Sequence, residues 1–401
     1  MKKYIRVGTE YFKEVLCPLM SGDNMKSLIK WNKATIIDDF GKDSLKVIKK
    51  YETFCTFPSH INYQREINNF YNKYEPLSYC VSEKGDWENI KLFLQHLFGK
   101  QYELGLDYLT ILWKHPSQIL PILCLVSVER NTGKSTFLKL LKLIFEGNMT
   151  INKNEDFRSR FNSDWAGKLI VAVDEVLLDK KEDSERIKNL STSNHYKLEG
   201  KGVDKAEIEF FGKFILCSNN EENFIKIDDL EIRYWVIKVN PFAKENPDLL
   251  EQMRKEIASF SHHLSHRKIV TQRTTRMWFT KEQIYTKALD VLVRGNRTSI
   301  EKEIEEFLID QFCTLELDEL YYTSKDLHEQ LNLANIRVGK NYVSKIITEN
   351  FKLEPKNSSY NFYSLDLSTM NNGKWSVYTE NRKGRFYTFK REEFIKKLLI
   401  C

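Results

Sequence analysis

The stretch Leu125-Val-Ser-Val-Glu-Arg-Asn-Thr-Gly-Lys-Ser-Thr136 holds residue types that can bind a polyphosphate. An apolar run, Ile119 to Val126, leads into it, and the helix-forming Phe137-Leu-Lys-Leu-Leu-Lys-Leu-Ile-Phe145 leads out. A strand, a turn, Gly-Lys-Ser and a helix set backbone N–H groups and a helix dipole against an anion. In that frame Lys134 reaches β- and γ-phosphates and Ser135 offers a hydroxyl to Mg²⁺, with Asn131, Thr132, Gly133 and Thr136 completing the loop. Val128 stands where the full pattern has its first glycine, so the stretch is incomplete by itself.

Further chemistry lies downstream. Leu169-Ile-Val-Ala-Val173 reads as a strand buried on both faces, ending in Asp174 and Glu175. One carboxylate there suits a metal shell and the other suits activation of a water. Phe214-Ile-Leu-Cys-Ser218 is a second such run, ending in Asn219, whose amide can hold the attacking water. Arg233 opens the last run, Tyr234 to Val239, where an arginine can stabilise charge on a phosphate bound by a neighbouring subunit. Between them, Tyr196 to Lys205 is polar and glycine-bearing; it suits either a solvated loop or an exposed hairpin with Lys197, Lys201 and Lys205 near its tip.

Taken in order, Glu129–Thr136, Leu169–Glu175, Phe214–Asn219 and Arg233-Tyr-Trp resemble the superfamily 3 helicases. More narrowly they resemble the helicase half of primase-helicase proteins of phages and mobile elements, related to the poxvirus-type enzymes. The resemblance covers about residues 75–245. It implies an AAA+ P-loop core, ATP and Mg²⁺, a hexameric ring on single-stranded or forked DNA, hydrolysis between subunits and 3′-to-5′ translocation. It puts phosphate-loop lysine, metal hydroxyl, acidic pair, sensor asparagine and arginine finger on Lys134, Ser135, Asp174 with Glu175, Asn219 and Arg233. A DNA-gripping hairpin falls near Lys197–Lys205 by position. Many such relatives carry a primase domain; residues 1–74 hold no paired-carboxylate polymerase site, so primer synthesis is not expected and a separate primase is a candidate partner.

These residues need elements to position them. Trp87, Ile90, Phe93, Leu94, Leu97 and Phe98 recur at helical spacing, as do Leu106, Leu109 and Trp113, giving a helical, collar-like unit over 75–116. The α/β core follows over 117–245, then a helical connector over 246–297. Residues 298–368 read as three helices and a hairpin at Leu353–Leu365, a winged-helix-like α+β plan in which Lys340, Asn341 and Lys345 face phosphates and base edges, or a protein-interaction wing. Residues 369–401 form a tail in which eight Lys or Arg and three Glu between Lys374 and Lys397 alternate with aromatics, a pattern able to bind backbone and stack bases.

The bulk numbers bound the class. A chain of 401 residues with 41% hydrophobic and 29% charged residues suits two or three globular domains. Its net charge of +6 permits a polyanionic partner without demanding one. Seven scattered cysteines, none in a Cys-x-x-Cys pair, point to a reducing cytoplasm without zinc or a disulfide framework. His262, His263 and His266 suit a helix end better than a metal site. No run of 18 apolar residues and no signal-like segment occurs, so no membrane partner is expected. The expected function is an ATP-dependent replicative helicase; the alternative is an AAA+ replication initiator or remodeller whose nucleotide site controls assembly on DNA.

Overall fold

The computed structural model describes residues 4–18, 24–158, 162, 164–178, 180–193, 195–198, 206–227, 233–296, 299–334, 336, 338–371 and 374–395. They fall into two units, Met1–Val293 and Arg294–Cys401.

The first unit is built on a five-stranded parallel sheet. Its strands, numbered in chain order, are β1 Ile122–Val126, β2 Met149–Asn152, β3 Ile170–Val173, β4 Lys213–Ser218 and β5 Tyr234–Lys238, arranged β5-β1-β4-β3-β2. Every pairing is parallel. The strands are runs of aliphatic and aromatic residues because both faces are covered. Side chains alternate between faces: Leu123, Leu125, Ile170, Ala172, Ile215 and Trp235 join one core, while Ile122, Cys124, Val126, Val171, Val173, Phe214 and Val236 join the other.

The first face is covered by α1 Glu88–Phe98, α2 Tyr102–Lys114, α3 Lys134–Phe145 and α5 Leu249–His266. The second is covered by α4 Lys181–Thr192 and α6 Lys287–Gly295. The segment expected as a connector therefore supplies cover to both faces. Met253, Ile257, Phe260 and Leu264 lie on one side of α5 and are buried, though charged residues dilute the pattern in the sequence. The His262–His266 cluster ends this helix, and among the described residues no group of three or more His, Cys, Asp or Glu is placed to hold a metal.

Before α1 the chain forms two small sheets, and residues 56–65 carry no helix or strand. Strands Asn24–Trp31, Glu10–Pro18, Tyr4–Val7 and Lys49–Tyr51 form one sheet in that order, and Phe54–Cys55, Phe70–Asn72 and Glu66–Ile67 form a smaller one. His60 fastens this region to the core. Its ring stacks on Trp113 at 4.9 Å, its Nδ1 lies 3.0 Å from Trp113 O and its Nε2 2.6 Å from the Tyr74 hydroxyl.

The second unit contains α7 Ser299–Leu315, β6 Glu319–Tyr322, α8 Ser324–Leu333, α9 Lys340–Glu349, β7 Lys356–Asn371 and β8 Lys374–Lys390. Its antiparallel sheet has the order β6-β8-β7. Thr323 caps α8 in a capping box with Asp326. Two expectations change. The hairpin is not Leu353–Leu365 but the long pair β7 and β8, which runs through the expected boundary at 368/369. The tail is mostly its second strand, so Tyr387 and Phe389, spaced at period two among basic residues, are core.

Candidate functional site

β1 delivers the chain to a loop over residues 127–133, and α3 begins at Lys134. Gly133 has φ +94° and no side chain caps the helix, so the first N–H groups of α3 keep their donors available. The Lys134 ammonium folds back across the loop, donating to Ser127 O and Thr132 Oγ1 at 3.2 Å. Burial pulls its pKa below the ordinary lysine range, against the pull of Cys217, Asp174, Glu129 and Glu221. Ser135 is exposed in the first turn of α3, and Thr136 is half-buried beside it.

Side chains make the turn that the first glycine would otherwise ease. Val128 is 67% exposed. Its N–H donates to Glu221 Oε1 at 3.1 Å, and Glu221 Oε2 pairs with Lys238 Nζ at 3.0 Å. Ser127 Oγ donates to Glu129 Oε2 at 2.8 Å and accepts from Glu129 N–H at 3.1 Å. The Ser127 hydroxyl and that N–H hold the Glu129 carboxyl below its ordinary range. Glu129 thus supports the turn, while Arg130 is exposed.

β4 lies between β1 and β3, so three strand tips meet at one edge. Val126 pairs with Ser218 and Val173 with Leu216, which puts the loop, Asn219 and Asp174 side by side beyond the carboxyl ends. Asp174 is half-buried, and Lys134 and Cys217 both feel its charge. Its Oδ1 accepts from Glu175 N–H at 3.1 Å. Glu175 is exposed with φ +52°. Asn154 braces this bend by donating to Glu175 O at 3.3 Å and accepting from Leu177 N–H at 3.1 Å. Asn219 is exposed.

Arg233 is not brought to this edge. It precedes β5, and its carbonyl accepts from Ile122 N–H at 2.8 Å, at the amino end of β1. At about 3.3 Å per residue, the strand puts it roughly 16 Å from the loop.

The expected DNA contacts are spread more widely. Lys197 is exposed on a hairpin of His195–Leu198 and Ala206–Glu209, opposite Glu207. Lys201 and Lys205 lie outside the described residues. On α9, Lys340, Asn341 and Lys345 are exposed, with Lys345 3.8 Å from Glu349. Ser344 turns to the sheet, 2.8 Å from the Tyr387 hydroxyl.

A cavity of about 600 Å³ opens beside the loop, with Leu92, Phe93, Phe242 and Leu250 as apolar walls and Asn89 and Thr136 as polar ones. His96 stacks on Phe242 at 4.2 Å and donates from Nε2 to Thr132 O at 3.1 Å. Asn131 reaches Glu245 Oε1 at 2.6 Å and accepts from Phe242 N–H through its carbonyl at 3.1 Å. Sequence reading passed over His96, Phe242, Glu221 and Asn154. Their partners are distant in the chain, and no local spacing marks them.

A protein-family profile described as a family of unknown function, DUF5906, matches residues 125–233, the span from the end of β1 to Arg233. No curated protein matches the sequence. Among solved structures, the fold is similar to the apo C-terminal region (305–718) of NrS-1, with a TM-score of 0.63 at 15% identity over 96% of this chain and 95% of that one. An A-form apo structure of the same region gives 0.63 at 16% identity, covering 96% of each chain. At that identity the likeness is one of fold.

Proposed function

We propose that this chain is a replication protein of a phage or other mobile element, in which an AAA+-type core hydrolyses ATP to unwind DNA. One observation carries the reading: an uncapped helix bearing Lys134, the Asp174-Glu175 bend and Asn219 share one sheet edge, while Arg233 stands at the opposite edge. The strand order, with the asparagine-tipped strand between loop strand and acidic strand, supports a core of this type. The C-terminal unit, in which α7, α8 and α9 accompany an antiparallel sheet, supports a winged-helix assignment. The likeness in fold to the NrS-1 C-terminal region is compatible with both.

In this reading the N–H groups at the start of α3 and the Lys134 ammonium take the phosphates, Lys134 leaving Ser127 O and Thr132 Oγ1 to do so. Ser135 Oγ and Asp174, a sparse set of hard oxygen donors, suit Mg²⁺, which neutralises phosphate charge when bound. Glu175 accepts the proton of the attacking water and Asn219 orients it. The cavity beside Thr136 takes the nucleoside, with Phe242 as an apolar wall. Arg233 serves the loop of a neighbouring copy, so the working unit is an oligomer, a hexameric ring by resemblance, on single-stranded or forked DNA in the host cytoplasm. A separate primase would supply primers.

ATP hydrolysis by the full chain, stimulated by single-stranded DNA and lost in Lys134→Ala, together with strand displacement on a fork, is the expected result. Absence of hydrolysis with and without DNA rejects the reading. The exposed Lys340, Asn341 and Lys345 favour the second reading, an initiator that recognises duplex DNA; hydrolysis without strand displacement, with tight binding to one duplex site, would select it.

A further inference from the structure

We propose that Glu221 is a positioning residue that clamps the phosphate loop to the segment following β4, supplying from outside the turn what a glycine at 128 would supply from within. The proposal rests on the nucleotide-site reading above. Val128 does not take a positive φ, and its N–H bonds to a side chain from outside the loop. Glu221 Oε1 accepts that N–H at 3.1 Å. The carboxylate is only 11% exposed, and Lys238 holds its second oxygen at 3.0 Å. Lys238 is the last residue of β5 and pairs in register with Val126. One side chain therefore joins the tips of β1, β4 and β5.

The same segment reaches the acidic pair. Ser218 O accepts from Ser127 N–H at 3.2 Å. Ser218 Oγ donates to Val176 O at 2.9 Å, one residue beyond Glu175. Glu221 lies two positions past Asn219. A contact that displaces Asn219 thus acts on Val128 on one side and on Val176 on the other, which links phosphate occupancy to the acidic bend. An N–H bond to an ionised carboxylate is about twice as strong as a neutral one.

The test is binding of Mg·ADP and steady-state ATP hydrolysis by the full chain as wild type, Glu221→Ala and Glu221→Gln. The amide keeps an acceptor for Val128 N–H and loses the charge pair with Lys238; alanine loses both. Glu221→Ala is expected to weaken ADP binding and raise KM by about tenfold, with kcat changed much less, and Glu221→Gln to recover most of that loss. Wild-type binding by Glu221→Ala overturns the proposal, and so does equal weakness of the two variants. If Glu221→Ala melts far below wild type, Glu221→Gln is compared with Glu221→Lys, which turns a donor on Val128 N–H; equal binding by those two also overturns it. Loss of binding in Lys134→Ala with none in Glu221→Ala keeps the nucleotide reading and rejects only the clamp. A wild-type chain that binds no Mg·ADP takes down both.

Discussion

Arg233 and Lys134 stand at opposite edges of one parallel sheet, Arg233 at the amino end of β5 and Lys134 where α3 leaves the carboxyl end of β1. A strand-length of roughly 16 Å is too far for the guanidinium to touch phosphates on its own loop. If Arg233 serves catalysis, as proposed, it does so across an interface between copies. Lys134→Ala keeps the arginine and loses the loop lysine; Arg233→Ala does the reverse. Each alone is expected to have under about a hundredth of wild-type hydrolysis, in line with the size of arginine-finger effects. Mixed before assembly, they form interfaces with an intact loop on one side and an intact arginine on the other, so hydrolysis returns to a measurable fraction of wild type. No recovery over a range of mixing ratios, in assemblies shown to contain both variants, sinks the trans assignment.

Gly133 is the one loop position where a side chain is excluded twice over. Its φ of +94° is one L residues rarely adopt, and an added Cβ would lie 2.9 Å from Phe93 and 3.0 Å from Phe242. Gly133→Ala is expected to cost about 1–3 kcal/mol of stability, seen as a lowered melting temperature, and to weaken Mg·ADP binding as the loop shifts. Melting and binding both at wild-type values would mean that the two rings yield freely.

The strands β1, β3, β4 and β5 were legible because a parallel strand covered on both faces must be a continuous apolar run. β2 was not: Met149-Thr-Ile-Asn152 is short, half polar and at a sheet edge, and only its pairing with β3 makes it a strand. The basic C-terminal stretch misled for the opposite reason, since a strand with one solvated and one buried face spreads its aromatics among lysines and arginines. At the site, type and spacing mark the residues expected to carry chemistry, while those that set the loop's shape leave no such mark. Val128 and Glu221 are 93 positions apart, as tertiary contacts often are, and no local periodicity reports them.

His60 gives a pH dependence whose sign follows from its surroundings. Trp113 O can only accept, so Nδ1 carries the proton and Nε2 accepts from the Tyr74 hydroxyl, leaving the ring neutral and satisfied. Burial lowers its pKa from 6.5 to about 4, with Lys213 nearby adding to the effect. Between pH 6.5 and 4 the unfolded chain binds a proton that the folded chain does not, so stability falls as pH drops through that window. The loss attributable to this group is about 3 kcal/mol and is complete below pH 4. Urea unfolding at pH 7 and pH 4.5 is expected to show a steeper loss in wild type than in His60→Gln. Parallel losses in the two proteins would assign the acid sensitivity elsewhere.

The exposed face of α9 offers a test that separates the proposed duplex binding from the proposed motor action. Lys340 and Lys345 project from a helix whose other side packs through Val343, Ile346 and Ile347, so removing both charges leaves the core intact. If each neutralises one phosphate, the pair Lys340→Ala, Lys345→Ala lowers the slope of log affinity against log salt by about two for duplex DNA. Hydrolysis stimulated by single-stranded DNA, assigned in the proposal to the other unit, is expected to stay within about twofold. Asn341→Ala, by contrast, is expected to leave the salt slope alone and to reduce preference among duplex sequences, as the loss of a base-edge contact does. An unchanged salt slope in the double variant, measured by fluorescence anisotropy between low and physiological salt, removes DNA from this face and leaves it to a protein partner.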